Sequence, residues 1–103
     1  GDRAAGTFGA MPDDAHLFLQ KVRINRRRAS FFVYADRFVI SGDAGERTIP
    51  MGHLDKISTR KSVRGAKLLL LFDNDELIEI RGLGTSDTTV AHRTIVEVAR
   101  AFH

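Results

Sequence analysis

Between His16 and Arg81 apolar and polar residues alternate in short runs separated by turn residues, and no stretch holds a helical period. Such alternation sends every second side chain to one face, which specifies strands half buried against a core. The runs fall at Leu17 to Ile24, Ser30 to Ala35, Arg37 to Ser41 and Glu46 to Ile49. Between them stand Asn25 followed by arginines, Ala35-Asp36 at a bend, and Gly42-Asp43-Ala44-Gly45, where glycine permits positive φ. Pro50-Met51-Gly52 breaks the meander, because proline donates nothing to a ladder and glycine loosens the chain. A crossing to a second sheet is expected there. Three further strands follow at His53 to Arg60, Lys67 to Phe72 and Glu76 to Arg81, across turns at Val63-Arg64-Gly65 and Asp73-Asn74-Asp75.

The period changes after Gly82-Leu83-Gly84. Thr85, Ser86 or Asp87 is suited to cap a helix N-terminus, and Asp87 also complements the positive end of the helix dipole. Ala91, Ile95, Val98 and Phe102 then form one apolar stripe, with His92, Arg93, Glu97 and Arg100 turned away. This predicts a single C-terminal amphipathic helix of about 16 residues covering the core of the strands. The expected core is Phe32, Tyr34 or its alternates, Val39, Ile57, Leu69, Leu71, Ile78, Ile80, Ile95, Val98 and Phe102. Residues 1–15 are rich in small residues and lack periodicity, so they read as a disordered or tag-derived lead-in. Residues 16–103 make one domain, and a chain of 103 residues is long enough to bury one core without staples.

The composition removes several classes of chemistry. With no cysteine there is no disulfide framework and no thiolate nucleophile, which agrees with a reducing compartment. The longest apolar run, Leu68 to Phe72, is far short of a membrane span, so a cytoplasmic location is expected, with any membrane association supplied by a parent protein. His16, His53, His92 and His103 share no ligand spacing, and Asp73-Asn74-Asp75 lacks the glycine and glutamate of a calcium loop, so no metal or cofactor is expected. Gly82-Leu83-Gly84 lies between strand and helix but lacks the third glycine and parallel setting of a phosphate loop. No serine or carboxylate carries the local signature of a nucleophile or acid–base pair, and a non-catalytic chain is expected.

The charge is only +3 overall, yet it is unevenly spread. Lys21 to Arg28 holds five basic residues in eight positions, and Lys56 to Lys67 holds five in twelve. The candidate partner-binding residues are Lys21, Arg23, Arg26, Arg27, Arg28, Arg60 and Lys61. Alternate strand residues share a face, which would pair Lys21 with Arg23, and arginine forks grip carboxylates and phosphates bidentately. An acidic protein or peptide, an anionic membrane surface and a merely solvated turn all remain compatible with this pattern. Nucleic acid ranks lower, because the aromatics that would stack on bases are needed for the core.

Seven antiparallel strands, a break after the fourth and a capping helix resemble the pleckstrin-homology (PH) superfold. The segment Phe32 to Ile40 is similar to a strand-turn-strand of its bacterial PH-like and GRAM branches, with Ala35 where threonine is usual. Ile49-Pro50-Met51-Gly52-His53-Leu54-Asp55-Lys56-Ile57 is similar to the segment following the break in those branches. The resemblance implies a mainly β (α+β) fold, a seven-stranded antiparallel sandwich or partly open barrel capped by one C-terminal α-helix. It also implies a non-catalytic interaction module. Lys21, Arg26 and Arg28 resemble the basic pattern of headgroup-binding members, while Asp43 and the Asp73 to Asp75 turn would stand at the same open end and repel a polyphosphate. The cluster around Arg60 and Lys61 is implied to point to the opposite end. An exposed strand edge from Leu54 to Arg60 beside the helix is implied as a place for peptide addition or self-association.

Overall fold

A two-residue turn decides which face of the first hairpin is buried. Asn25 and Arg26 both have positive φ, 50° and 73°, as the favoured two-residue hairpin turns require. Ile24 therefore stands opposite Arg27, and the inward parity continues through Ala29, Phe31 and Val33, all buried. Phe32 and Tyr34, expected in the core, lie on the other face. Both Phe31 and Phe32 are aromatic, so hydrophobicity does not choose between them; the turn does.

The computed structural model describes residues 14–103, and the lead-in read over residues 1–15 lies outside the described residues as far as residue 13. The strands are β1 Leu17–Ile24, β2 Arg27–Val33, β3 Arg37–Gly42, β4 Gly45–Pro50, β5 Leu54–Ser62, β6 Gly65–Phe72 and β7 Leu77–Arg81. The helix, α1, spans Thr85–Phe102. All seven strands are antiparallel neighbours in one sheet of order β4-β3-β2-β1-β7-β6-β5. The expected second sheet is not separate: the break at Pro50 carries the chain from one edge of a single curled sheet to the other edge. A 3-10 turn at Met51–His53 makes that passage. The Met51 amide donates to the Asp36 carbonyl at 2.8 Å, and its side chain is fully buried, so the segments 32–40 and 49–57 meet.

The core sits inside the curl. Phe31 stacks on Phe38 at 5.7 Å, and Phe38 meets the Phe72 ring edge to face at 5.8 Å. Leu68, Leu70 and Phe72 of β6 point inward, whereas the expected Leu69 and Leu71 are half buried on the outer face. Ile78, Ile80, Ile95 and Val98 are buried as expected, and Ile57 packs half-buried against the core. Val39 is buried on the outer face, opposite Phe32. There Phe18 stacks on Phe32 at 4.6 Å, and Arg37 lies over the Tyr34 ring at 4.1 Å.

The helix begins one residue earlier than any of its expected caps. Gly84 is the N-cap, with no side-chain cap bond, and Thr85 already belongs to the helix. Its buried stripe is Thr88, Ala91, Ile95 and Val98, one turn displaced toward the N-terminus. Thr88 is tolerated inside because its hydroxyl donates to the Gly84 carbonyl at 2.9 Å. Phe102, expected in the core, is 46% exposed. Ile95→Ala should therefore cost about 2–5 kcal/mol and Phe102→Ala about 1 kcal/mol, read as urea midpoints; equal losses would contradict this placement of the stripe.

Candidate functional site

The turns β1–β2 and β3–β4 and the start of β7 surround a cleft of about 570 Å3 at one end of the sheet. Ile24, Ile40 and Ile78 supply its apolar lining. Its charged lining is mixed: Arg27, Arg28 and Arg47 against Asp43 and Glu46. Arg47 of β4 is further committed to Glu76, whose two carboxylate oxygens each accept from one guanidinium nitrogen. With Glu76 counted, three arginines face three carboxylates, so the cleft presents little net positive charge.

Asn25 ties this end together. Its amide donates to the Glu79 carbonyl at 2.9 Å, and its Oδ1 accepts from the Glu79 amide at 2.8 Å. These two bonds prolong the β1–β7 ladder past its regular pairs, Arg23 with Arg81 and Ile24 with Ile80. Neither Asn25 nor Arg47 was legible as a site residue, because their partners lie 54 and 29 positions away. The residues that follow the Asp73 to Asp75 turn also border this end, where the Leu77 carbonyl accepts from the Asn25 side chain at 3.5 Å. Glu76 reaches the cleft side through Arg47, while Asp73 lies 3.8 Å from His53 Nδ1.

All seven candidate basic residues are exposed, but they do not form one hairpin cluster. Lys21 sits in a β-bulge: Leu19 faces Phe31 and Val22 faces Ala29, leaving one extra residue on β1, and Lys21 takes a φ of 54°. The bulge breaks the alternation that would have put Lys21 and Arg23 on one face. Arg26 is at the turn apex, and Arg27 lines the cleft. Arg23 and Arg28 face each other on the outer surface of the sheet. Arg60 stands opposite Lys67 on that same outer surface, and Lys61 opposite Ala66. The hairpin carrying Arg60 and Lys61 turns away from the cleft, yet Arg60 itself shares a face with Arg23.

Two carboxylates are held below their ordinary pKa. Arg47 lowers Glu76 chiefly by hydrogen bonding, against a smaller opposing effect of burial. Lys67, bonded at 2.9 Å, and then the charge of Arg81 lower Glu79. Because the folded-state pKa of Glu76 is depressed, its contribution to stability is present above the ordinary carboxylate pKa and is lost as pH falls through the folded value. Both partners are partly solvated, so the contribution is modest, on the order of 1 kcal/mol. Glu76→Gln should lower stability by that amount at neutral pH, and the difference from the parent should shrink as pH falls through the folded-state value, measured by urea midpoints across the acid range.

No protein-family model and no curated protein matches the chain. Solved structures do. The pleckstrin homology (PH) domain of USP37 superposes with a TM-score of 0.66 at 13% identity, over 86% of this chain and 99% of that one. The linker-DH/PH domains of p115-RhoGEF superpose with a TM-score of 0.64 at 12% identity, over 85% of this chain and 29% of that chain. At such identities the likeness concerns architecture alone: the chain has a pleckstrin-homology-like fold, a seven-stranded antiparallel half-barrel with one C-terminal helix.

Proposed function

We propose that this domain is a non-catalytic interaction module that binds an acidic segment of a protein partner through its exposed basic residues. The observation that carries this reading is the charge arrangement at the cleft. A polyphosphate headgroup seated there would meet Asp43 and Glu46, and Arg47 is already neutralised by Glu76. Of the seven candidate cations only Arg27 and Arg28 line the cleft, and the others lie around and outside it, which suits an extended acidic chain better than a compact headgroup. The PH-like architecture of the neighbours supports an interaction role in general terms. Within the superfold, a GRAM-like affinity rests on segments 32–40 and 49–57, whose contact through Met51 and Asp36 gives those residues a structural purpose.

A second reading uses the edge of the sheet. β5 is the outermost strand on its side and is nine residues long. A groove of about 250 Å3 lies between it and α1, with Ile57, Val96 and Ala99 in its lining. An extended peptide or a second copy of the chain could add there. A domain that stays monomeric when concentrated, with unchanged amide exchange along β5 on adding peptide, leaves this edge unused.

The principal test sets a labelled glutamate-rich peptide against vesicles. The peptide should bind with an affinity that falls as salt rises, and co-sedimentation should not distinguish phosphatidylserine vesicles from neutral ones. Vesicle binding that disappears with neutral lipid and with Arg26, Arg27 and Arg28 all changed to alanine would replace this reading with headgroup binding.

A further inference from the structure

Sheet register brings the two basic clusters of the sequence onto one row. On the outer face Arg28 of β2 stands directly opposite Arg23 of β1, and Arg23 directly opposite Arg81 of β7. Lys67 and Arg81 lie just beyond the terminal pair of the β6–β7 ladder, Leu68 with Ile80, and both reach the Glu79 carboxylate, at 2.9 and 3.2 Å. Lys67 in turn stands opposite Arg60 of β5. Five adjacent strands thus each contribute one cation, in a line about 20 Å long at the usual inter-strand spacing. Their inward neighbours Ile24, Leu68 and Ile80 are core residues, which turns Arg23, Lys67 and Arg81 outward; Arg60 follows Lys67 by register, and Arg28, opposite Arg23, also borders the cleft.

The fold does not require this row. Like charges placed directly opposite across a ladder are destabilising, and Arg23 has one on each side. Glu79 relieves only Lys67 and Arg81; among the described residues no ion pair involves Arg23, Arg28 or Arg60. A surface that gives up stability to line up cations is explained by an anionic occupant.

We infer that this row, Arg28–Arg23–Arg81–Lys67–Arg60, is the docking track for an extended acidic polypeptide segment. The inference rests on the proposed acidic-partner reading and assigns it a place. The row follows the outer curve of a half-barrel, so a planar membrane or a rigid duplex touches only part of it, whereas a flexible chain can follow it throughout. Ser30, Ser58 and Leu69, the neighbouring outward positions, offer no aromatic ring on which a nucleobase would stack. The chain of carboxylates in an extended Glu/Asp segment of about eight residues spans a similar length.

The test measures anisotropy of a labelled peptide of about eight glutamates, with oligothymidylate and phosphatidylserine vesicles as comparison probes. Arg23→Glu combined with Arg60→Glu should weaken the peptide by about tenfold or more, while Arg26→Ala with Arg27→Ala at the turn should change it less than about threefold. Arg23→Glu alone should raise the melting temperature, because it converts two repulsive cross-strand pairs into attractive ones, and this separates lost binding from lost folding. If the turn variant abolishes binding and the row variant does not, the row is overturned and the acidic-partner reading stands. Absence of peptide binding even at low salt overturns both. Tighter, Arg23-dependent binding of oligothymidylate or of vesicles overturns the choice of a peptide as occupant.

Discussion

The structure depends on a narrow seam. Strands β4 to β1 form one meander and β7 to β5 another, and only two regular ladder pairs, Arg23 with Arg81 and Ile24 with Ile80, join them. Asn25 adds a backbone and a side-chain bond to Glu79 and so lengthens that seam. Behind it Ile24 and Ile80 are buried, so the polar ladder is backed by apolar packing and shielded from water on its inner side. Without the seam the sheet would open into two meanders, and both the core and the cleft would lose a wall.

The same seam governs the distribution of charge. It sets Arg23 beside Arg81, and β7 and β6 then carry the row to Lys67 and Arg60. At the cleft, by contrast, the long-range pair of Arg47 with Glu76 connects β4 to the start of β7 and removes a cation from the mouth. One end of the molecule is thus close to balanced while its outer flank is basic. A sum of +3 conceals both facts.

Much of the architecture was legible because it depends on local rules. β1 was found with its full bounds, Leu17–Ile24, from alternation and the Asn25 turn. The seven strands, the break at Pro50 and the terminal helix followed from turn residues and from the change of period. Parity was not legible where both faces are apolar: Phe31 against Phe32, and Leu68 and Leu70 against Leu69 and Leu71. Alternation carries no information there, and the choice passes to the turn and to the neighbouring strand. Phe102 failed for a related reason, since a stripe of period 3.6 can be extended at either end and only the edge of the sheet decides where burial stops.

The sequence by itself determined the element types, their order and the set of exposed cations, because propensity, turn chemistry and solvation act over a few residues. Which cations stand together was decided only by tertiary structure. The bulge at Lys21 removed one expected partner from Arg23, and the ladders to β2 and β7 provided Arg28 and Arg81. Register across strands distant in the chain is a property of the packed sheet, and electrostatic energy between exposed charges falls off within about 10 Å. The two basic clusters are therefore joined through Arg23 and Arg81, which the linear order keeps more than fifty positions apart.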